Sequence, residues 1–120
     1  MRLANSTSGA GSALVWSANV FKTVSAEVIT NETTVWDPAA GKKFRLLGWF
    51  LAQGVATGAI TLRDNTAGST ILIIPQHTVG VGMAFRLPGN GYLSATADNV
   101  LTAQGASTET ITGFFFGTEE

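Results

Sequence analysis

The chain has 120 residues, with seven Lys plus Arg against eight Asp plus Glu and a single histidine. That length fits one domain, and 45% hydrophobic residues supply a core that needs no staples. The balanced charge, the absence of basic runs longer than Lys42-Lys43 and the absence of cysteine exclude a nucleic-acid or anionic-membrane footprint, disulfides and thiolate metal sites.

Charged residues make up only 12% of the chain, about half the usual share of roughly 25%. A large subunit contact explains this, because interface cores are depleted in charge; a weakly charged Gly/Ala/Thr-rich β protein is the plainer explanation. The N-terminus lacks the apolar run of a signal peptide, and no stretch reaches the roughly 20 apolar residues of a membrane helix. The expected product is soluble and made in a cytoplasm.

Residues 4 to 13 are almost all Ala, Asn, Ser, Thr and Gly, a composition typical of an arm. Leu14-Val15-Trp16 interrupts it. Trp16 and Phe21 either pack back on their own domain or dock the arm on a neighbour. The expected division is an arm over residues 1–21 and a sandwich domain over residues 22–120. Lys22 to Ile29 reads as a first strand with Val24, Ala26 and Val28 on one face. Thr33 to Trp36 is a short second strand.

Asp37-Pro38-Ala39-Ala40-Gly41 is a turn, with φ of Pro38 preset and Gly41 free to turn left-handed. It opens the stretch around which the chain is organised. Lys42 to Gln53 is a long strand, a Gly-rich turn follows, and Ala59 to Arg63 alternates as a partner strand, giving a central hairpin. Asp64 to Ser69 turns. Thr70 to Ile74 is an apolar strand ended by Pro75, either buried on both faces or edge-capped. Val81 to Leu87 alternates Val81, Met83, Phe85 and Leu87 with Gly82, Ala84 and Arg86. Pro88-Gly89-Asn90-Gly91 turns into Tyr92 to Ala95. Val100 to Gln104 and Thr108 to Phe116 close the chain, before an acidic tail ending in Glu119-Glu120.

Eight or nine short strands with regular turns and no amphipathic helix predict an all-β, single-domain antiparallel β-sandwich, jelly-roll-like, with an extended N-terminal arm. Periodicity does not order the strands.

Catalytic residues are not expected. His77 is alone, whereas a cupin-type metal site takes two or three histidines and a carboxylate. No nucleophile elbow precedes a helix. Glu27, Glu32, Asp37, Asp64, Asp98 and Glu109 are the carboxylates available for glycoside hydrolysis, but Asp37, Asp64 and Asp98 sit in turns, where aspartate bonds local N–H groups. No calcium loop is present, and no cofactor or metal is implied. Trp36, Trp49, Tyr92 and Phe114 to Phe116 form either a sugar-stacking platform or core plus interface. Phe114 and Phe116 share one face of a strand and Phe115 takes the other. The interface candidates are Trp16, Phe21, Trp36, Trp49, Phe114 and Phe116. Lys42, Lys43, Arg45, Arg63 and Arg86 form a solvated face or pair with a neighbour's Glu119-Glu120.

The Pro38-Ala39-Ala40-Gly41-Lys42-Lys43 turn before a long strand, the Thr70 to Pro75 strand, the Pro88 to Tyr92 turn and the closing Gly113 to Phe116 strand together resemble small structural proteins of tailed phages, over about residues 24 to 117. These are capsid decoration (cement) proteins, head fibres and related virion components. The resemblance implies a non-enzymatic β-sandwich homotrimer on the capsid surface, with the major capsid protein of the phage head as partner and stabilisation of the assembled head as function. It carries over no catalytic residues, and no nucleic acid or membrane contact. A carbohydrate- or receptor-binding module of a phage tail or fibre is the alternative.

Overall fold

The computed structural model describes residues 18–55, 58–106 and 108–120. Trp16 and most of the expected arm lie outside them. Among the described residues nine strands run in chain order: β1 Val20–Val28, β2 Thr33–Trp36, β3 Phe44–Gln53, β4 Ile60–Asp64, β5 Ser69–Ile74, β6 Gly82–Arg86, β7 Tyr92–Leu93, β8 Leu101–Gln104 and β9 Thr110–Glu119. No helix occurs among the described residues.

The strands form two antiparallel sheets. One has the order β1-β9-β3-β6, with the short β7 beside β3; the other has the order β2-β8-β4-β5. Setting β7 aside, the pairs are nested: β1 with β9, β2 with β8, β3 with β6, and β4 with β5. A single long hairpin rolled up so that β9 joins β3 and β8 joins β4 gives this order, which is that of a jelly roll. The sandwich expected from the sequence is therefore present, now with its strand order.

The core lies between the sheets. Trp36, Phe44, Leu46, Leu51, Ile60, Leu62, Leu101, Ile111 and Phe115 are among its fully buried members. Burying side chains of this size is worth roughly 1.5–3 kcal/mol each before conformational entropy is charged.

Three local readings change. The central hairpin is not a hairpin: β3 and β4 lie in different sheets, so the chain crosses from one layer to the other between Gln53 and Ile60. Each strand has an apolar face, and period-two alternation is equally satisfied by partners beside or across the core. The chain's tight hairpin is instead β4–β5, whose turn places Asn65 and Ala67 at positive φ.

In β1, the ladder with β9 breaks between Val24 and Glu27, where Ala26 takes φ 47°. Its N–H bonds the Thr112 hydroxyl at 2.8 Å. Val24 stays in the core, but Ala26 and Val28 face solvent and Ile29 becomes the fully buried residue. A bulge adds one residue to one strand and inverts the faces beyond it.

In β3 a similar shift falls between Leu46 and Gly48. Phe44 and Leu46 point inward before it, and Trp49, Leu51 and Gln53 after it, so Phe50 is turned out. Gly117 of β9 is needed nearby, because a Cβ there would collide with the Arg45 carbonyl and stand 2.9 Å from the Trp36 ring.

Candidate functional site

Several of the polar side chains that could carry chemistry are occupied in holding the fold. Asp64, 4% exposed at the end of β4, accepts hydrogen bonds from four groups: Tyr92 Oη (2.7 Å), Ser94 Oγ (2.8 Å), the Ala95 N–H (2.8 Å) and Asn99 Nδ2 (3.0 Å). Burial pushes its pKa up, but the donors outweigh burial and hold it below the ordinary aspartate value. Tyr92 is pushed up to about 12, by burial first and then by the carboxylate it donates to. With its acceptor sites filled, this carboxylate is a pin tying β4 to β7 and to the turn before β8, not a general base.

Glu32 accepts from the Thr102 hydroxyl at 2.6 Å and from the Ala67 N–H at 3.0 Å, and its pKa is lowered chiefly by Thr102. Asp98 caps the Asp37–Gly41 turn by accepting from the Gly41 N–H at 2.6 Å. Glu109, fully buried, receives the side-chain amide of Gln53, whose oxygen in turn accepts the His77 N–H at 2.8 Å. His77 Nδ1 lies 3.3 Å from the Pro75 carbonyl, and its Nε2 is the buried side-chain polar atom without a partner among the described residues. Among those residues no three His, Cys, Asp or Glu side chains gather to hold a metal ion.

The acidic tail is not free to reach a neighbour. Glu119 accepts from the Trp36 indole N–H at 2.9 Å and from the Ala39 N–H at 3.2 Å. Glu120 makes a two-point pair with Arg45, whose third contact is the Asn90 carbonyl at 2.8 Å. The Arg45 hydrogen bond holds the Glu120 carboxyl below its ordinary value.

The molecule also leaves apolar surface uncommitted on the two sides of the edge strand β6. The outer face of the β1-β9-β3-β6 sheet carries Phe21, Phe114, Phe116 and Phe50 in cross-strand rows. Ring centroids are 5.9 Å apart for Phe21–Phe114 and Phe50–Phe114, and 6.1 Å for Phe114–Phe116. Glycines let the layer lie flat. The Phe116 ring would stand 2.6 Å from a Cβ at Gly48, and the Phe50 ring covers Gly82. Arg86 and Ala84 border this face.

On the other side of β6, the sandwich does not close. Met83 and Phe85 stand opposite Leu51 and Trp49, on the core side of the sheet, yet are 48% and 51% exposed. The reason is that β5, the edge of the second sheet, does not reach over them. A cleft of about 380 Å³ opens there, with Phe85 against Trp49 at 5.2 Å between ring centroids and with Ile73, Ile74, Leu72 and His77 on the far wall. Neither concavity is lined by a carboxylate.

Of the expected interface aromatics, Phe21, Phe114 and Phe116 lie together on the outer face, with Phe21 58% exposed and inside β1 rather than in the arm. Trp36 is a core residue at 1% exposure, and Trp49, at 5%, is the floor of the cleft. A ring already buried has little area left for a partner. Reading the residues alone missed the cleft. Of the large apolar residues left exposed, Ile73, Val79, Val81, Met83 and Phe85 all come from β5, β6 and the loop between them. A signal existed: between Asp64 and Asp98, Arg86 is the only Asp, Glu, Lys or Arg.

No protein-family model, no curated protein and no solved structure matches the chain.

Proposed function

We propose that this protein is a structural component of a phage virion, a capsid decoration (cement) protein that binds the assembled head and stabilises it. The observation that carries this reading is the division of labour among its side chains. Asp64, Glu32 and Glu109 are engaged in holding the sandwich, while the surfaces on either side of β6 are apolar and nearly free of charge. Such surfaces mark protein contacts. The turn and strand resemblance to phage virion components gives the contact its setting.

A module of this kind acts by adding buried area across junctions of the shell. Because it binds the assembled lattice and not its dissociated subunits, it shifts the equilibrium toward the shell by mass action. The test is sedimentation of the purified protein with expanded empty heads of the phage that encodes it. Saturable co-sedimentation and a raised melting temperature of the heads are expected; a protein left wholly in the supernatant refutes the reading.

One observation favours the second reading, a carbohydrate- or receptor-binding module. Phe50 and Phe114 are stacked with 29° between their planes on an open face. Arg86 is the polar side chain lining the shallow pocket beside these rings, whereas sugar sites combine stacking with several hydrogen-bonding groups. Protein contact is the better fit. Titration with a panel of host-surface glycans, giving no heat of binding, separates the two.

A further inference from the structure

We propose that β6 pairs with β6 of a second copy, antiparallel and centred on Ala84, joining the two β1-β9-β3-β6 sheets into one continuous sheet across a two-fold axis. The contact uses the single free edge of each β6, so it closes at two copies, unlike the trimer that the resemblance to virion proteins implies.

Four strands form the edges of the two sheets: β1 and β6 of one, β2 and β5 of the other. Three of them are blunted. β1, β2 and β5 each hold an extra residue against their neighbours, at breaks between Val24 and Glu27, between Thr34 and Trp36, and opposite Leu62 and Arg63. Bulges of this kind turn an edge away from further pairing. β5 also runs into Pro75. Among the described edge strands, β6 alone keeps an unbroken register with its neighbour, over Gly82 to Arg86, with all five residues exposed and no lysine or proline among them. An edge left so bare is a template for another strand.

The open edge fixes its own register. The Leu87 N–H donates to the Leu47 carbonyl at 2.8 Å, toward β3. Hydrogen-bonding groups alternate in direction along an antiparallel strand, so those of Arg86, Ala84 and Gly82 face the open edge. Pairing centred on Ala84 matches these three with each other: Ala84 with Ala84, and Gly82 with Arg86 of the copy. Each such pair exchanges two bonds, about six in all. Centring on Met83 would draw in Gly80, which a turn holds at φ 79°. Centring on Phe85 would draw in Pro88, which has no N–H.

The same register suits the side chains. On the cleft side, Met83 of one copy stands opposite Phe85 of the other, so two half-exposed apolar residues cover each other. Ile73 across the cleft and Val81 at the end of β6, each about half exposed, extend the apolar contact beyond the strand. On the outer side, Arg86 stands opposite Gly82, over which the Phe50 ring lies, so the guanidinium meets an aromatic face. The two Arg86 residues are four positions apart along the paired strands, about 14 Å, beyond the screening length of about 10 Å at 0.1 M salt. No acidic residue and no lysine is found from residue 65 to residue 97, so these segments bring little other charge to repel a copy of themselves.

Sedimentation equilibrium of the wild type is expected to give a dimer. Ala84→Pro removes an N–H that faces the open edge, so the ladder with β3 survives while the dimer is expected to fall to monomer. The chain has no cysteine, so a disulfide in a single-cysteine variant must join two copies. Ala84→Cys places the two Cα atoms about 5.5 Å apart across the axis and is expected to oxidise to a covalent dimer. Arg86→Cys, about 14 Å from its counterpart, is expected not to. A monomeric or trimeric wild type, an Ala84→Pro variant that stays dimeric, or disulfides formed equally at both positions or at neither overturns the proposal. Should Ala84→Pro fail to fold, the two cysteine variants decide. A monomer that binds heads sinks this inference alone, and a dimer that ignores heads sinks the functional reading alone.

Discussion

The region around Asp64 and the region around Phe85 solve the same problem in opposite ways. Both border the space between the sheets. At Asp64 the sandwich is sealed by a buried carboxylate whose acceptor sites are filled by Tyr92, Ser94, Ala95 and Asn99. At Phe85 it is left open, with half-exposed apolar side chains around a cleft. The difference teaches where stability and association reside. A satisfied polar network is costly to disturb because each orphaned group loses its partner in a place that water does not reach. An open apolar end costs the subunit little when altered, and its value appears only when something covers it.

Breaking the sealed end should have the largest effect. Asp64→Ala orphans the hydroxyls of Tyr92 and Ser94, the Ala95 N–H and the Asn99 amide together, and is expected to cost about 3–5 kcal/mol in urea denaturation. Removing one donor by Tyr92→Phe is expected to cost about 1–2 kcal/mol. If Asp64→Ala unfolds no more easily than Tyr92→Phe, the carboxylate is not the pin described.

Adjacent residues of β9 sharpen the contrast. Phe115 is fully buried, while Phe114 lies on the outer face. Phe115→Ala should cost about 3–5 kcal/mol. Phe114→Ala should cost about 1 kcal/mol, with some of that from its ring contacts. Equal losses would mean that the outer face is structural.

Acid should act on the sealed end and spare the open one. The Asp64 carboxyl is held below its ordinary value when folded, as are those of Glu32 and Glu120. A depressed folded pKa contributes stability that is complete above the unfolded pKa, about 4, and is lost as pH falls through the folded one. Melting temperature should therefore be level above about pH 5 and fall below about pH 4. Asp64→Asn should flatten that fall. A wild type equally stable at pH 3 and pH 6 contradicts the assignment.

The smallest change in subunit stability belongs to the open end. Phe85→Ser should alter the unfolding free energy of the isolated subunit by about 1 kcal/mol or less, since half of the ring already faces water. A loss above about 3 kcal/mol would make Phe85 part of the core.

Composition and alternation by themselves determined the class: short strands, frequent turns, no helical period and one domain. They also put Phe114 with Phe116 on one face of the last strand and Phe115 on the other, and β9 keeps that alternation. Tertiary structure decided the rest. The bulges at Ala26 and near Leu47 invert faces, so Val28 and Phe50 go out while Ile29 and Trp49 go in; one added residue flips everything after it, and no residue type announces it. Whether β4 lies beside β3 or across from it depends on the rolled pairing of the whole chain, which local pattern does not encode. The openness around Met83 and Phe85 is also nonlocal. Their alternation is that of core residues, and they are exposed because β5, distant in pairing, stops short of them.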